Sequence, residues 1–543
     1  MRVCRHAVIA TLVLAAAGCV AIDRSPVGGT RHPWTIPHVL RIAESEEPSS
    51  LNPYRSNLDV VHDLTSLLYS YLVTADDKGH LIGDLALVVP TLGNGGISPD
   101  GRTYTYRLRR NARWHDGVPF TARDVVASLH ALLDPARPTG IDETALRNIA
   151  SVATPDSHTL VVRLKEPYSP FVTRFFTPLD DSGRPVLPAH VLDGPRDGGG
   201  HSLGEYPVGT GPFRFVAWRR GEDIELARYK GYFRGVPRLQ RIVIDTIPDG
   251  QTALTQLQTH QVDLLATPEA PLVDLYRRIR GVIVALVPAN WQAVLMINSR
   301  RPGLRDTAVR RALALAIPYR QILSSVTHGL YEPGRSTLLP SAIGYVREPQ
   351  RRYDVAAAVR MLRKDGWKKT TDGIRSRGGV RLAFTLATFS GVSTAEQIGL
   401  LMQSSLRLAG IALAIKPFAI PVLYAPNGLI HRGDYDVTFG RNVLGTDPDV
   451  YETLGCDQWY PRGRNDLGFC DPHLDALERR GLHTQSPEAR ANIYRAASDL
   501  IWSDVPYIIL YQARTVVVRS VDLHNYQPNA TNSPWWNAWQ WDI

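Results

Sequence analysis

Residues 114–125 of the chain read WHDGVPFTARDV. The first seven of them predict a turn, because a glycine and a proline interrupt regular structure there. Thr121 stands where a helix N-cap belongs, and Asp124 completes a capping-box pattern with it. We therefore expect an architectural unit in which Trp114 plugs a turn and a helix follows over residues 122–133.

Strand-like and helix-like patterns alternate on both sides of this unit. Strand-like apolar runs lie at residues 103–108, 160–164, 242–247, 282–287, 294–298 and 508–518. Apolar residues at helical spacing mark residues 60–72, 307–316, 395–409 and 487–503. This alternation predicts an α/β protein. A chain of 543 residues has room for about three to four domain-sized units.

The composition is that of a folded, soluble protein. Hydrophobic residues make up 44% and charged residues 21%, which excludes wholesale disorder, a fibre and a multi-span membrane protein. The formal charge of +9 is modest for this length, and no long block of Lys or Arg occurs. We therefore expect no nucleic-acid partner.

The N-terminus has the pattern of an export signal. Basic residues at positions 2 and 5 precede the uncharged apolar run AVIATLVLAAA at residues 7–17, which is too short to span a membrane with its flanks. We expect a signal peptide over residues 1–18. Residues 16–19 resemble a bacterial lipobox, with alanine where leucine is usual, so Cys19 is the expected lipid anchor. Simple secretion is the alternative. Residues 19–37 would form a tether, placing the protein on the periplasmic or extracellular face of the cell membrane.

Export changes how the remaining cysteines are interpreted. Cys456 and Cys470 are close enough in sequence for a disulfide in an oxidising compartment. Two cysteines make a poor zinc site, and His473 and His483 lack the spacing of zinc ligands. The 16 histidines show no H-E-x-x-H or comparable pattern. We expect no metal site and no cofactor.

One catalytic motif occurs in an unsuitable setting. Residues 200–204 (GHSLG) fit G-x-S-x-G, the nucleophile elbow of α/β-hydrolases, with Ser202 as the nucleophile. The elbow requires a buried strand before the serine and a helix after it. A Gly-rich loop precedes Ser202, and Pro207 opposes a following helix. A secreted serine hydrolase using Ser202 remains an alternative function.

Six strings in chain order resemble the bacterial extracellular solute-binding proteins of family 5, the peptide- and nickel-type receptors of ABC importers. The strings are EPSSLNP at 47–53, the opening stretch at 114–125, PVGTGPF at 207–213, the segment 298–317 with its VRRALALAI end, the segment 435–449 with its TDPD end, and PYIIL at 506–510. Together they extend over nearly the whole chain after residue 40. They identify the family without identifying the ligand.

The resemblance implies a two-lobed fold of the type II periplasmic-binding-protein kind, with an extra inserted subdomain and a ligand cleft between the lobes. The expected divisions are lobe I at 38–75, 205–285 and 510–543, its inserted subdomain at 76–204, and lobe II at 286–509. The implied function is capture of an oligopeptide or similar solute by lobe closure and delivery to an ABC permease with its ATPase. It implies a monomer that catalyses no reaction and has no catalytic residue.

The expected ligand cleft departs from that of dipeptide-binding relatives. The position of their amine-binding Asp is occupied by Leu444, and that of a nearby aromatic residue by Arg441. Their carboxylate-binding Arg has no counterpart in residues 387–391, which offer Phe389 and Ser390 as ligand contacts instead. Zwitterionic dipeptides should therefore bind poorly, and a longer peptide or a non-peptide solute with anionic or stacking groups should bind better. Arg441 would meet an anionic group; an ion pair with Asp447 or Asp449 is the alternative.

Three further residues are expected at the cleft. Trp291 offers a stacking face where the chain passes between lobes, with core packing as the alternative. Ser56 and Asn57 follow the Leu-Asn-Pro loop at the expected cleft mouth. Two variants of the function stay open: a peptide-sensing surface lipoprotein without transport, and capture of nickel or a metal chelate.

Overall fold

The computed structural model describes residues 31–56, 58–134, 144–179, 183–192, 203–529 and 531–543. Outside these ranges lie the expected signal peptide, the first part of the tether, Cys19, Asn57 and Ser202.

The chain alternates short strands and helices. The strands are β1 Val39–Glu44, β2 Val73–Ala75, β3 Leu81–Gly83, β4 Thr103–Arg107, β5 Ile149–Asp156, β6 Thr159–Leu164, β7 Phe213–Arg219, β8 Asp223–Arg228, β9 Arg241–Thr246, β10 Leu264–Leu265, β11 Val282–Ile297, β12 Lys368–Lys369, β13 Arg375–Arg377, β14 Val380–Arg381, β15 Ala383–Phe389, β16 Ala412–Phe418, β17 Val437–Val443 and β18 Tyr507–Ser520. The helices are α1 Asp59–Leu68, α2 Ala122–Leu132, α3 Thr144–Arg147, α4 Phe171–Arg174, α5 Ala189–Leu192, α6 Gly250–Gln258, α7 Val273–Tyr276, α8 Thr307–Leu315, α9 Tyr319–Gln321, α10 Val355–Lys364, α11 Ser393–Leu408, α12 Ile420–Tyr424, α13 Leu429–Arg432, α14 Tyr451–Leu454, α15 Pro472–His483 and α16 Pro487–Asp504. The α/β class expected from the sequence is confirmed.

A large mixed sheet runs through the molecule in the order β16-β15-β17-β11-β18-β10-β1-β9-β8-β7. Parallel pairs stand toward both ends: β15 with β16 and β17, and β1 with β9 and β10. Antiparallel pairing of β11 with β18 joins the two parts. Smaller sheets are β4-β6-β5, β2-β3 and β12-β13-β14.

Two large apolar cores lie on the two parts of this sheet. The first packs α1, α2, β1 and the C-terminal tryptophans, with Leu40, Leu64 and Trp541 almost fully buried. The second packs α8, α10, α11 and β15, around Trp367 and Met402. Each core is built from residues distant in sequence, so the chain passes between them more than once.

The long strands β11 and β18 run from one core to the other. Residues 282–288 of β11 pair with residues 514–520 of β18, and residues 292–296 pair with residues 507–512. The register shifts between Pro288 and Gln292. The sequence predicted two separate strands here. They form one strand because the irregular residues between them continue the pairing direction through a bulge.

The turn and helix that begin at Trp114 fold as expected, with α2 one residue shorter than predicted. The Thr121 N–H donates to Asp124 at 2.7 Å, completing a capping box, and Trp114 is fully buried. The neighbouring His115 connects this stretch to the PVGTGPF string at residues 207–213 through two hydrogen bonds. Its Nδ1 accepts from the Gly209 N–H at 3.2 Å, and its Nε2 donates to the Gly211 carbonyl at 3.1 Å.

Candidate functional site

A cavity of about 350 Å³ lies where β11 and β18 cross between the cores. Its walls come from α1, from the crossing strands, from Arg441 on β17 and from the C-terminal segment near Ser533. Residues around Arg184 close another side. This volume is at the small end of the range for ligand pockets.

Trp291 and Arg441 form one wall of the cavity as a pair. Their strands β11 and β17 are antiparallel, and the Arg441 guanidinium carbon lies 5.1 Å from the centre of the Trp291 ring. Tyr331 and Tyr511, stacked at 4.9 Å, meet the same ring edge-on. The arrangement combines a fixed aromatic face with an exposed positive charge, which suits a planar or anionic ligand group.

Arg441 does not form the ion pair that was its alternative role. Arg490 donates to both carboxylate oxygens of Asp447, at 2.9 and 3.0 Å, in a buried pair. Asp449 lies 3.9 Å from Arg174. Within the described ranges the Arg441 guanidinium has no carboxylate within 4.0 Å, so its charge is available to the cavity.

The structure brings some of the expected ligand contacts together and leaves others apart. Ser56 lines the cavity with Trp291 and Arg441. Leu444, Phe389 and Ser390 are not among its lining residues. Leu444 is buried against Leu338, Leu339 and Ala342, Phe389 stacks on Tyr424, and Ser390 is exposed beyond β15. As ligand contacts, all these residues remain predictions.

The sequence predicted the helix α1 but not its place on the cavity wall, where it supplies titratable residues. Asp59, His62 and Asp63 all line it. Ser533 donates a hydrogen bond to Asp63 Oδ1 at 2.8 Å. Burial raises the pKa of the Asp63 carboxyl to about 8, and the nearby carboxyls of Glu44 and Asp59 add to the rise. The sequence signal for Asp63 was an acidic residue that stands between the apolar residues of an amphipathic helix.

Two other sequence expectations concern covalent and metal chemistry. Cys456 and Cys470 form a disulfide, as the sequence predicted. Among the residues that the structure describes, no group of three or more His, Cys, Asp or Glu side chains is arranged to hold a metal ion. In the same residues, no helix has both the length and the apolar character needed to cross a bilayer.

The family follows from comparison with known proteins. The family model described as "Bacterial extracellular solute-binding proteins, family 5 Middle" matches residues 87–458, more than half of the chain. The chain belongs to this family. The resemblance seen in the sequence strings is thereby confirmed, and the family is one of solute-binding proteins rather than of enzymes.

Relatives match nearly the full length. The oligopeptide-binding protein AppA of Bacillus subtilis is 26% identical over 92% of this chain and 91% of its own. The glutathione-binding protein GsiB of Escherichia coli is 24% identical over 89% of this chain and 91% of its own.

Solved structures of the family share the fold. The structure of AppA from Bacillus subtilis with a nonapeptide has a TM-score of 0.73 and 25% identity, covering 93% of this chain and 98% of that one. NikZ from Campylobacter jejuni, solved with Ni(L-His), has a TM-score of 0.76 and 23% identity, covering 94% of this chain and all of that one. The two-lobed, periplasmic-binding-protein-like fold expected from the sequence is confirmed.

Proposed function

We propose that the protein is the substrate-binding receptor of an ABC importer, which captures a peptide or similar solute and delivers it to a membrane permease and its ATPase. The observation that carries this proposal is the cavity at the strand crossing of a family 5 solute-binding fold, with walls from elements that pack into both cores. The relatives named for oligopeptides and glutathione support a peptide-like ligand. No bond is made or broken in this function, and the protein acts as a monomer.

Capture would occur by closure of two lobes. We assign residues 38–75, 205–285 and 510–543 to lobe I, residues 76–204 to its inserted subdomain and residues 286–509 to lobe II. The separate apolar cores support this division, since each half can stay intact while the other moves. A ligand that contacts both halves binds the closed form better and shifts the population toward it.

The same proposal includes export and anchoring. A signal peptide over residues 1–18 and a lipid on Cys19 would hold the receptor beside its permease, on the periplasmic or extracellular face of the membrane. The Cys456–Cys470 disulfide supports an oxidising location. Ser56, Trp291 and Arg441 are the proposed ligand contacts with a place on the cavity wall.

Thermal unfolding of the mature protein tests the ligand class. Pools of dipeptides, longer peptides, oligosaccharides and metal chelates would be added at saturating concentration. A ligand at 100 times its dissociation constant stabilises the folded form by about 2.7 kcal/mol, which raises the midpoint of a protein of this size by about 2 °C. We expect a shift with a peptide pool, weaker for dipeptides. A shift with sugars or metal chelates alone would contradict the proposal.

A further inference from the structure

Asp63 is a half-buried carboxylate with an unused oxygen on the cavity wall. Ser533 occupies Oδ1, whereas Oδ2 has no hydrogen-bond partner in the part of the chain that the structure describes. Among the same residues Asp63 forms no ion pair. The titratable groups that interact with it electrostatically are Glu44 on β1, Asp59 on α1 and Tyr526 on the C-terminal segment, and none of these three is a cation.

A carboxylate in this position lacks the counter-ion that its burial calls for. Ionisation leaves a desolvated negative charge, which is costly without a cationic partner. Burial accordingly raises the pKa of Asp63 far above its ordinary value. A protonated amine or guanidinium placed on Oδ2 would supply both the missing charge and the missing donor.

Arg441 presents the complementary charge on another wall. Its guanidinium lies over Trp291 and has no carboxylate partner among the described side chains. Stacking on the indole fixes the plane of the guanidinium while leaving its N–H groups free to donate. Such a group binds a carboxylate or another planar anion.

The two charges stand on different halves of the molecule. Asp63 is on α1, whose Leu64 and Leu67 belong to the first core. Arg441 is on β17, whose Val437 and Phe439 belong to the second. A ligand that binds both Asp63 and Arg441 makes both contacts only while the two halves are close together. Such a ligand therefore stabilises the closed form.

We propose that the cavity selects a ligand with a cationic nitrogen and an anionic group, Asp63 binding the nitrogen and Arg441 binding the anion. This rests on the proposed receptor function. The amine site lies on the lobe I helix α1 instead of at the Leu444 position after β17, so the position of the amine differs from that expected in a dipeptide clamp.

Chemically capped peptides test both ends of the ligand. The mature protein would be mixed with short peptides from a casein hydrolysate, either untreated, acetylated at the amines or amidated at the carboxylates. Retained peptides would be counted by mass spectrometry after gel filtration. We expect wild type to retain about tenfold less of either capped preparation, since acetylation removes the cation that Asp63 would bind and amidation removes the anion that Arg441 would bind. Asp63→Asn should no longer discriminate against acetylation, and Arg441→Gln should no longer discriminate against amidation.

Matched variants control for charge and folding. Asp245→Asn removes another half-buried carboxyl of raised pKa, on β9 and away from the cavity, and Arg311→Gln removes an exposed guanidinium on α8. Both should discriminate like wild type. Asp63→Asn keeps the acceptor for Ser533, so its thermal midpoint should show a folded protein.

The possible failures are distinct. If wild type retains acetylated and untreated peptides equally, the Asp63 site is wrong and the receptor function stands. If Asp63→Asn still rejects acetylated peptides, the amine is bound elsewhere. Retention of none of the three preparations would overturn the peptide receptor itself and the charge-pair proposal with it.

Discussion

Burial and the nearby Glu44 and Asp59 carboxyls raise the pKa of Asp63 to about 8, which favours the protonated carboxyl at neutral pH. A cationic ligand group binds the ionised carboxylate, so the proton must leave when the ligand arrives. For a ligand whose cation is a guanidinium or a lysine side chain, affinity should therefore rise with pH by up to about tenfold per pH unit and level off above about pH 8. For an α-amine, which loses its own proton at about pH 8, affinity should pass through a maximum there. Titration calorimetry in buffers of different ionisation enthalpy measures both the affinity and the proton released.

The matched control for this pH dependence is Asp63→Asn, which has no carboxyl to titrate. Its affinity should be nearly flat over the same range. A wild-type affinity that does not change between about pH 6 and 8 would contradict the assignment of Asp63 to a cationic group.

Residue-level prediction from the sequence reached only part of the cavity. Ser56, Trp291 and Arg441 were predicted from the family strings and the strand crossing, and all three lie on the cavity wall. Asp63 was missed since its environment is not local: the residue that binds its carboxylate, Ser533, is 470 positions away in the sequence. No pattern within α1 records that contact.

Close packing of two elements explains the glycines of the PVGTGPF string. An added Cβ at Gly209 would lie 1.7 Å from the Leu68 carbonyl oxygen, and one at Gly211 would lie 2.5 Å from the Leu67 carbonyl oxygen. These carbonyls belong to the last turn of α1, which carries Asp63. The string therefore fixes the C-terminal end of the helix that bears the proposed amine site.

Gly209→Ala should destabilise the protein by about 1 to 3 kcal/mol, because backbone atoms must move to admit the methyl group. It should also weaken ligand binding through displacement of α1. Denaturant unfolding and peptide titration measure the two effects. Gly93→Ala is the control, since its Cβ would meet a single atom at 3.9 Å. Equal stability of the two variants would contradict this role of Gly209.

The disulfide constrains the segment between α14 and α15. Cys456 and Cys470 are 14 positions apart, and a loop of about this length corresponds to roughly 3 kcal/mol in the chain-entropy description. Replacing both by serine should lower the free energy of unfolding by up to this amount, measured by denaturant unfolding. Reducing agent should destabilise wild type and leave the double variant unchanged; an equal effect on both would contradict the pairing in solution.

Elements with strong local signals were predicted well, whereas the continuity and the pairing order of the strands were not. The capping box predicts the start of α2 correctly, because it depends only on the local contacts between Thr121 and Asp124. The sequence did not predict that β11 is continuous, since residues 288–291 have no strand pattern. They belong to the strand through a register shift in its pairing with β18. The ten-strand order likewise depends on contacts between distant segments.

At the scale of the whole molecule, the two halves meet at a contact separate from the crossing strands. The Ser169 N–H donates to the Leu482 carbonyl at 2.7 Å, and the Ser169 hydroxyl donates to the Thr484 carbonyl. His483 Nδ1 donates to the Pro167 carbonyl at 2.8 Å. These residues join the proposed inserted subdomain to α15, and none of them lines the cavity. The contact should therefore affect closure without touching the ligand.

The double variant Ser169→Ala with His483→Ala removes two side-chain hydrogen bonds between the halves. Each is worth about 0.5 to 1.5 kcal/mol net, so losing both destabilises the closed form by about 1 to 3 kcal/mol and the apparent affinity should drop by about five- to 150-fold. Small-angle scattering should show a larger radius of gyration without ligand and the wild-type value at saturation. The control is Ser157→Ala with His158→Ala, whose side chains bond to each other within the subdomain. If both double variants lost affinity equally, or if affinity fell with no change in radius, the contact between Ser169 and α15 would not govern closure.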